Sequence, residues 1–229
     1  MRVIKLPERV RGVVFDIDGT LYDNREYAQY QVDVLIERLA RERGEAVEDT
    51  RRTVEQWREE YAEAHGGTRQ SIGNTFAGLG IPMEVSVRWR EELIDPSIHL
   101  SLDTRLVQVM GLLSRELRLA ALTNNPVAVG RRTLQVLGIE EFVPIVVGLD
   151  TTLRSKPDTT PFREVARALK LEPSCLVSVG DRYHVDIEPA CRIGMGAILV
   201  DDVKDVYRLD RVLPLQRAKS SRSHRTCNE

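Results

Sequence analysis

Cysteine is scarce in this sequence. Cys175, Cys191 and Cys227 are odd in number, and no two have metal-site spacing. A disulfide framework and a thiolate metal centre are therefore not expected, and reduced thiols fit a cytosolic protein best. Long apolar runs are missing as well. None approaches the ~18 residues of a membrane span. The N-terminal stretch has Arg2 and Lys5 but no extended apolar segment, so it is not expected to be a secretory signal. Neither sign of charge is in excess. The net charge is −2, which gives no support for a nucleic-acid or membrane-surface partner. Lysine is absent from residues 25–98, where ten arginines face fifteen acidic residues. What is present suffices for a folded core: 42% of the 229 residues are hydrophobic, enough for one large domain or a domain carrying an insert.

The most informative stretch is Val13-Val14-Phe15-Asp16-Ile17-Asp18-Gly19-Thr20-Leu21. Val13 to Phe15 read as a short, fully buried strand. Asp16 and Asp18 follow two positions apart and leave the strand end in the same direction, because the side-chain period there is 2. Carboxylates that close repel unless a cation lies between them or one holds a proton. Gly19 permits a sharp turn where a side chain would clash.

From Arg25 to Ile98 the pattern is helical. Val32, Leu35, Ile36 and Leu39 repeat at helical spacing, as do Val54, Trp57 and Tyr61, then Ile72, Phe76 and Leu79, then Val85, Trp89 and Leu93. Glycines 44, 66, 67 and 80 punctuate these runs. The expectation is a helical subdomain, residues 25–98, inserted into a main domain of residues 1–24 and 99–215, with Trp57 and Trp89 in its core. After Leu102 helices and strands alternate. Asp103 caps a helix, Leu117 to Thr123 is a strand, and Asn125-Pro126 opens the next helix. Further strands are expected at Ile145 to Val147, Cys175 to Val179 and Ala197 to Val200. This alternation implies an α/β fold, a doubly wound parallel sheet with helices on both faces. Residues 216–229 are Ser- and Arg-rich, with four basic residues against one acid, and are expected to be a disordered basic tail.

In such sheets ligands bind beyond the carboxyl ends of the strands. The first strand ends in Asp16 and Asp18, and the second in Thr123-Asn124-Asn125. A loop with Ser155-Lys156-Pro157 comes after the third, and Gly180-Asp181 with Asp186 after the fourth. Each alone has an ordinary reading as cap, turn or surface lysine. Four such coincidences at four strand ends are improbable together. These residues, in this order, resemble the four motifs of the haloacid dehalogenase superfamily, and the resemblance covers roughly residues 10–213. It implies a strand order of 5-4-1-2-3 and a cap domain in the helical insert.

The resemblance implies roles as well. Asp16 would be the nucleophile of a phosphate-ester hydrolysis and Asp18 the general acid and base. Thr123, Asn124 and Lys156 would hold phosphoryl oxygens. Mg²⁺ would be bound by Asp16, the carbonyl of Asp18 and Asp181, with Asp186 in support. A phosphotransferase or phosphomutase keeps the same motifs. Dehalogenases of the family lack the second acid, so Asp18 and Asp181 speak against that chemistry. A phosphate-responsive binding module would not need Asp18. The expected partner is a small phosphate ester, and oligomeric state is not legible. Tyr61 to Thr68, with Ser71, Ile72 and Leu79, loosely resembles the cap segment of pyrimidine 5′-nucleotidases. A nucleoside monophosphate is therefore one candidate substrate beside phosphoglycolate and sugar phosphates, with His65 and Arg69 as candidate selecting residues.

Overall fold

The computed structural model describes residues 1–67 and 70–215. Arg69 and the basic tail from Gln216 lie outside the described residues. The sheet has six strands: β1 (Arg2–Lys5), β2 (Gly12–Phe15), β3 (Arg118–Leu122), β4 (Ile145–Val147), β5 (Leu176–Gly180) and β6 (Gly196–Leu199). Their order is β1-β6-β5-β2-β3-β4. The five strands from β2 onward are parallel and stand in the expected order. The sheet differs from expectation in having a sixth strand, β1, antiparallel at the edge beside β6. That strand left no sequence signal for a physical reason. It has four residues, begins and ends on a cation, and is largely exposed. Charged side chains of this kind blunt a free sheet edge.

Every residue of β2 and β5 is buried, as parallel strands covered on both faces must be. Alternation splits β2 between two apolar layers. Val13 and Phe15 pack with Leu106, Met110 and Leu113 of α5 (Thr104–Leu113) and Val129 of α6 (Val127–Val136). Val14 packs on the other face with Phe162, Val165 and Leu169 of α8 (Thr160–Leu169). A short α7 (Leu149–Thr152) comes after β4, and α9 (Glu188–Arg192) precedes β6.

Residues 25–98 hold four α-helices and no strand among the described residues: α1 (Arg25–Arg43), α2 (Val47–Ala64), α3 (Ile72–Gly78) and α4 (Met83–Leu93). They close over an apolar cluster of their own, which contains Leu35, Ile36, Leu39, Val54, Phe76 and Trp89. Trp89 meets Phe76 edge-on at 6.2 Å. Trp57 departs from expectation. It is half-buried and stacks on Tyr61 at 5.7 Å, because its stripe of α2 enters the cluster at Val54 and leaves it one turn later. The helices are tied back to the sheet at the end of α4, where Arg132 of α6 donates to the carbonyls of Glu91 and Ile94. Cys175 and Cys191 are free thiols. No helix among the described residues is long and apolar enough to cross a membrane.

Candidate active site

The carboxyl end of β2 lies between those of β5 and β3, so the loops that leave these three strands converge. Asp16 continues the ladder, its N–H donating to the carbonyl of Val179 at 2.9 Å. The chain then turns at Gly19, where φ is +80° and an added Cβ would stand 2.7 Å from an Asp181 carboxylate oxygen. Only glycine satisfies both conditions. After β5 the chain makes a π-helical turn over Tyr183–Ile187 before α9. That turn folds Asp186 back beneath Gly180, whose missing side chain leaves the room: a Cβ there would stand 2.4 Å from the Cβ of Asp186.

The result is a buried charge cluster. The Lys156 ammonium donates to Asp16 Oδ1 and to Asp186 Oδ1, both at 2.6 Å, and all three side chains are almost wholly buried. Burial disfavours the ammonium, but the charges of Asp16 and Asp186 outweigh it and raise the Lys156 pKa. Oxygens of Asp16, Asp181 and Asp186 lie within 4.8 Å of one another. Two oxygens in this group, Asp16 Oδ2 and Asp181 Oδ1, are buried without a hydrogen-bond donor. Orphaned carboxylate oxygens that close are what a hard divalent cation with oxygen ligands requires, and the residues present fit Mg²⁺ on that ground. Arg182 leans over the same cluster, 3.5 Å from Asp16 and 3.8 Å from Asp186.

Burial, and then the charge of Asp16, push the Asp181 carboxyl up to about 7. The same two causes raise Asp186. These shifts make a stability prediction. Between about pH 4 and pH 7 the folded state binds protons that the unfolded chain has released. The Asp181 contribution is therefore present at the acid end of that window and is lost as pH rises through about 7. Metal-free protein should melt at a higher temperature at pH 5.5 than at pH 8, and Asp181→Asn should flatten that slope. Melting curves across this range in chelator are the check; a slope of the opposite sign would show that these carboxyls are not held protonated.

Asp18 stands apart from the cluster. Its Oδ1 accepts from the Tyr22 hydroxyl and from Gln31 Nε2, and its Oδ2 from the Thr123 hydroxyl at 3.3 Å and Asn125 Nδ2 at 3.2 Å. Burial, and the Asp18 charge beside it, raise the pKa of Tyr22 far above its ordinary value, so its hydroxyl stays a donor. Gln31 reaches in from α1 and also accepts from Asn125 Nδ2 at 2.7 Å.

Asp16, Asp18, Thr123, Asn124, Lys156, Asp181 and Asp186 are thus brought together, but not all as expected. Both side-chain polar atoms of Asn124 are engaged by the Lys156 backbone: Oδ1 accepts from its N–H at 2.8 Å and Nδ2 donates to its carbonyl. That side chain braces the lysine, and the second N–H of Nδ2 is left for a phosphoryl oxygen. His65 is not brought to the site. It is exposed at the end of α2, stacked 3.8 Å from the Tyr61 ring. The polar walls of the cavity come instead from Arg58, Tyr61 and Asn74 and from Arg90 on α4. Gln31, Arg90, Tyr22 and Arg182 were not anticipated. Gln31 did leave a signal, since it interrupts the buried Tyr27–Leu35 stripe of α1 one turn from each.

Comparisons with known proteins identify the family and the fold. A family model for haloacid dehalogenase-like hydrolases matches residues 10–194. A phosphoglycolate phosphatase of Escherichia coli (strain K12) is 27% identical over 209 residues, covering 83% of this chain and 81% of that one. A crystal structure of a HAD phosphatase from Thermococcus onnurineus superposes with a TM-score of 0.59 at 23% identity, over 83% of this chain and 86% of that one. A 2-haloacid dehalogenase from Pseudomonas syringae superposes with a TM-score of 0.55 at 19% identity, over 89% and 100%. At such identities the two structures are similar in fold alone.

Proposed function

The chain belongs to the haloacid dehalogenase-like hydrolases, and from that premise we propose that it is a Mg²⁺-dependent phosphatase acting on a small phosphate monoester through an aspartyl phosphate. The observation that carries the reading is the asymmetry of Asp16. One of its oxygens is hydrogen-bonded by Lys156, while the other is buried without a hydrogen-bond donor, with the Arg182 guanidinium 3.5 Å away as its ion-pair partner and the similarly undonated Oδ1 of Asp181 in the same cluster. A nucleophile must keep a lone pair uncommitted, and Asp16 does.

In this reading Asp16 attacks phosphorus in line. The new bond joins Asp16 to phosphorus, and the bond that breaks joins phosphorus to the ester oxygen. Asp18 enters this step in its acid form and passes that proton to the departing oxygen. It then takes a proton from the water that attacks the aspartyl phosphate, which frees Asp16 and inorganic phosphate. Lys156 screens the negative charge of Asp16 and presents an N–H to the phosphoryl group. A bound Mg²⁺ supplies the positive charge that lets a carboxylate approach a phosphate dianion. Tyr22, Gln31, Thr123 and Asn125 hold the Asp18 carboxylate in one orientation. Helices α1 to α4 act as a cap, over a cavity of about 430 Å³ that they share with Asp18 and Lys156. The name of the Escherichia coli relative favours phosphoglycolate. The free thiols of Cys175 and Cys191 favour a cytoplasmic setting.

Hydrolysis of p-nitrophenyl phosphate should require Mg²⁺ and cease in excess chelator. Saturating Mg²⁺ should also stabilise the fold by about 2.7 kcal/mol at 100 times its Kd, which is ~5–10 °C in Tm for a chain of this size. Asp181→Asn should lose most of that thermal shift. Full turnover in chelator would remove the metal from the reading, and no turnover of any phosphate ester would remove the phosphatase.

A further inference from the structure

We propose that Arg90 is the receptor for a carboxylate on the leaving group, so that the substrate of this site is a small phosphate monoester bearing a carboxylate next to the ester carbon. The inference rests on the phosphatase reading and deepens it.

Arg90 is on α4, in the helical insert, and is 5% exposed. A guanidinium taken that far out of water is ordinarily paired with a carboxylate, because an uncompensated buried charge is strongly disfavoured. Arg90 has no such partner. Its Nε donates to Ser86 Oγ at 3.4 Å and its Nη1 to Asn125 Oδ1 at 2.7 Å, and both acceptors are neutral. Three of the five guanidinium N–H groups are left without an acceptor among the described residues. Burial draws the Arg90 pKa down to about 10, against the pull of Asp18, and the group is still cationic at neutral pH.

Its position says what should fill the gap. Arg90 lines the cavity that also contains Asp18 and Lys156. Asn125 donates to Asp18 at 3.2 Å and accepts from Arg90, so one amide separates the guanidinium from the group placed at the ester oxygen. A substituent on the first carbon of the leaving group therefore falls beside Arg90. A second observation points the same way. Arg58 of α2 lines the same cavity, and its buried Nε has no acceptor. Asp18 is the only acid among the described residues around that cavity, which also has Arg58, Arg90, Lys156 and Arg182 on its walls.

A neutral polyol would leave the Arg90 charge uncompensated. A carboxylate offers two coplanar oxygens that match the guanidinium fork. The insert then selects substrate by charge at α4, through a side chain that lies closer to the chemistry than the exposed end of α2.

The test compares 2-phosphoglycolate with 2-hydroxyethyl phosphate, which has the same phosphate ester and no second anion. It uses full-length protein with Mg²⁺. Wild type should favour phosphoglycolate in kcat/KM. In Arg90→Met that preference ratio should fall about 100-fold, mainly through KM, and Arg90→Lys should restore part of it. Ligand-free Arg90→Met should melt no lower than wild type, since it removes an unpaired buried charge. Arg90→Lys alone carries the test if the Met variant does not fold, as it should lower the ratio less than total loss but measurably. An unchanged ratio would overturn the proposal. So would equal losses on both esters, which would reduce Arg90 to a positioning residue for Asn125. Wild type inactive on both esters would instead overturn the phosphatase reading itself, a result that no Arg90 variant can produce.

Discussion

Asp16→Asn should lower turnover by on the order of 10⁴-fold or more, with the fold intact and the ligand-free protein at least as stable as wild type. The amide is isosteric with the carboxylate but a poor nucleophile, so no aspartyl phosphate can form. The stability half of the prediction comes from the cluster. Asp16 shares its buried space with Asp181 and Asp186, and its charge is the second cause of the raised pKa at both. Removing it relieves that repulsion, while Lys156 keeps Asp186 at 2.6 Å as a counter-ion. The pH dependence of melting should therefore weaken in Asp16→Asn, because Asp181 returns toward the ordinary carboxylate range. Kinetics on an aryl phosphate together with melting curves at pH 5.5 and pH 8 make the measurement. Substantial residual turnover would mean that another residue attacks phosphorus. A large fall in Tm would mean that the charge of Asp16 is structural and not a strain kept for chemistry.

Lys156→Met should fail in both respects. It leaves the Asp16 and Asp186 carboxylates buried with no cation on the oxygens that Lys156 now holds, and breaking a buried pair from one side costs about 3–5 kcal/mol. For a chain of this length that is a loss of roughly 6–20 °C in Tm. The contribution of the pair is present across the neutral range. It fades only in alkali, as pH climbs through the raised pKa of the lysine. Turnover should fall on the order of 10³-fold, since the same ammonium screens the nucleophile. Mg²⁺ should recover part of the lost Tm by supplying charge to the same three carboxylates, and none of the hydrogen bond to the phosphoryl group. Calorimetry with and without Mg²⁺, set beside kcat, separates the two contributions. A variant as stable as wild type would show that the buried carboxylates are held by something other than Lys156.

The chain's local chemistry determined a good deal by itself. The buried run Val13 to Phe15, the paired acids, the lysine after the third parallel strand and the Gly180-Asp181 turn each combine a local propensity with a local chemistry. Their order along the chain is enough to specify a doubly wound sheet with its strand ends gathered at one rim. Helix caps such as Asp103, which accepts from the N–H groups of Arg105 and Leu106, are equally local and equally readable.

Tertiary structure decided what depends on which atoms face one another. Asn124 reads from the sequence as a phosphate donor at a helix start, and packing adds a second task, joining its amide to the backbone of Lys156. The edge strand β1 is strand only because β6 lies beside it. His65 looks like a substrate contact by resemblance to a family cap segment, yet the end of α2 leaves it in solvent, stacked on Tyr61. Arg90 looks like one more charge in an arginine-rich insert. Its meaning comes from the packing of α4 against α6 and α7, which buries the guanidinium beside Asn125 and gives it no carboxylate. A periodic pattern records how much of a helix is buried. It does not record which neighbour arrives, and the free energy of a charge depends on that neighbour.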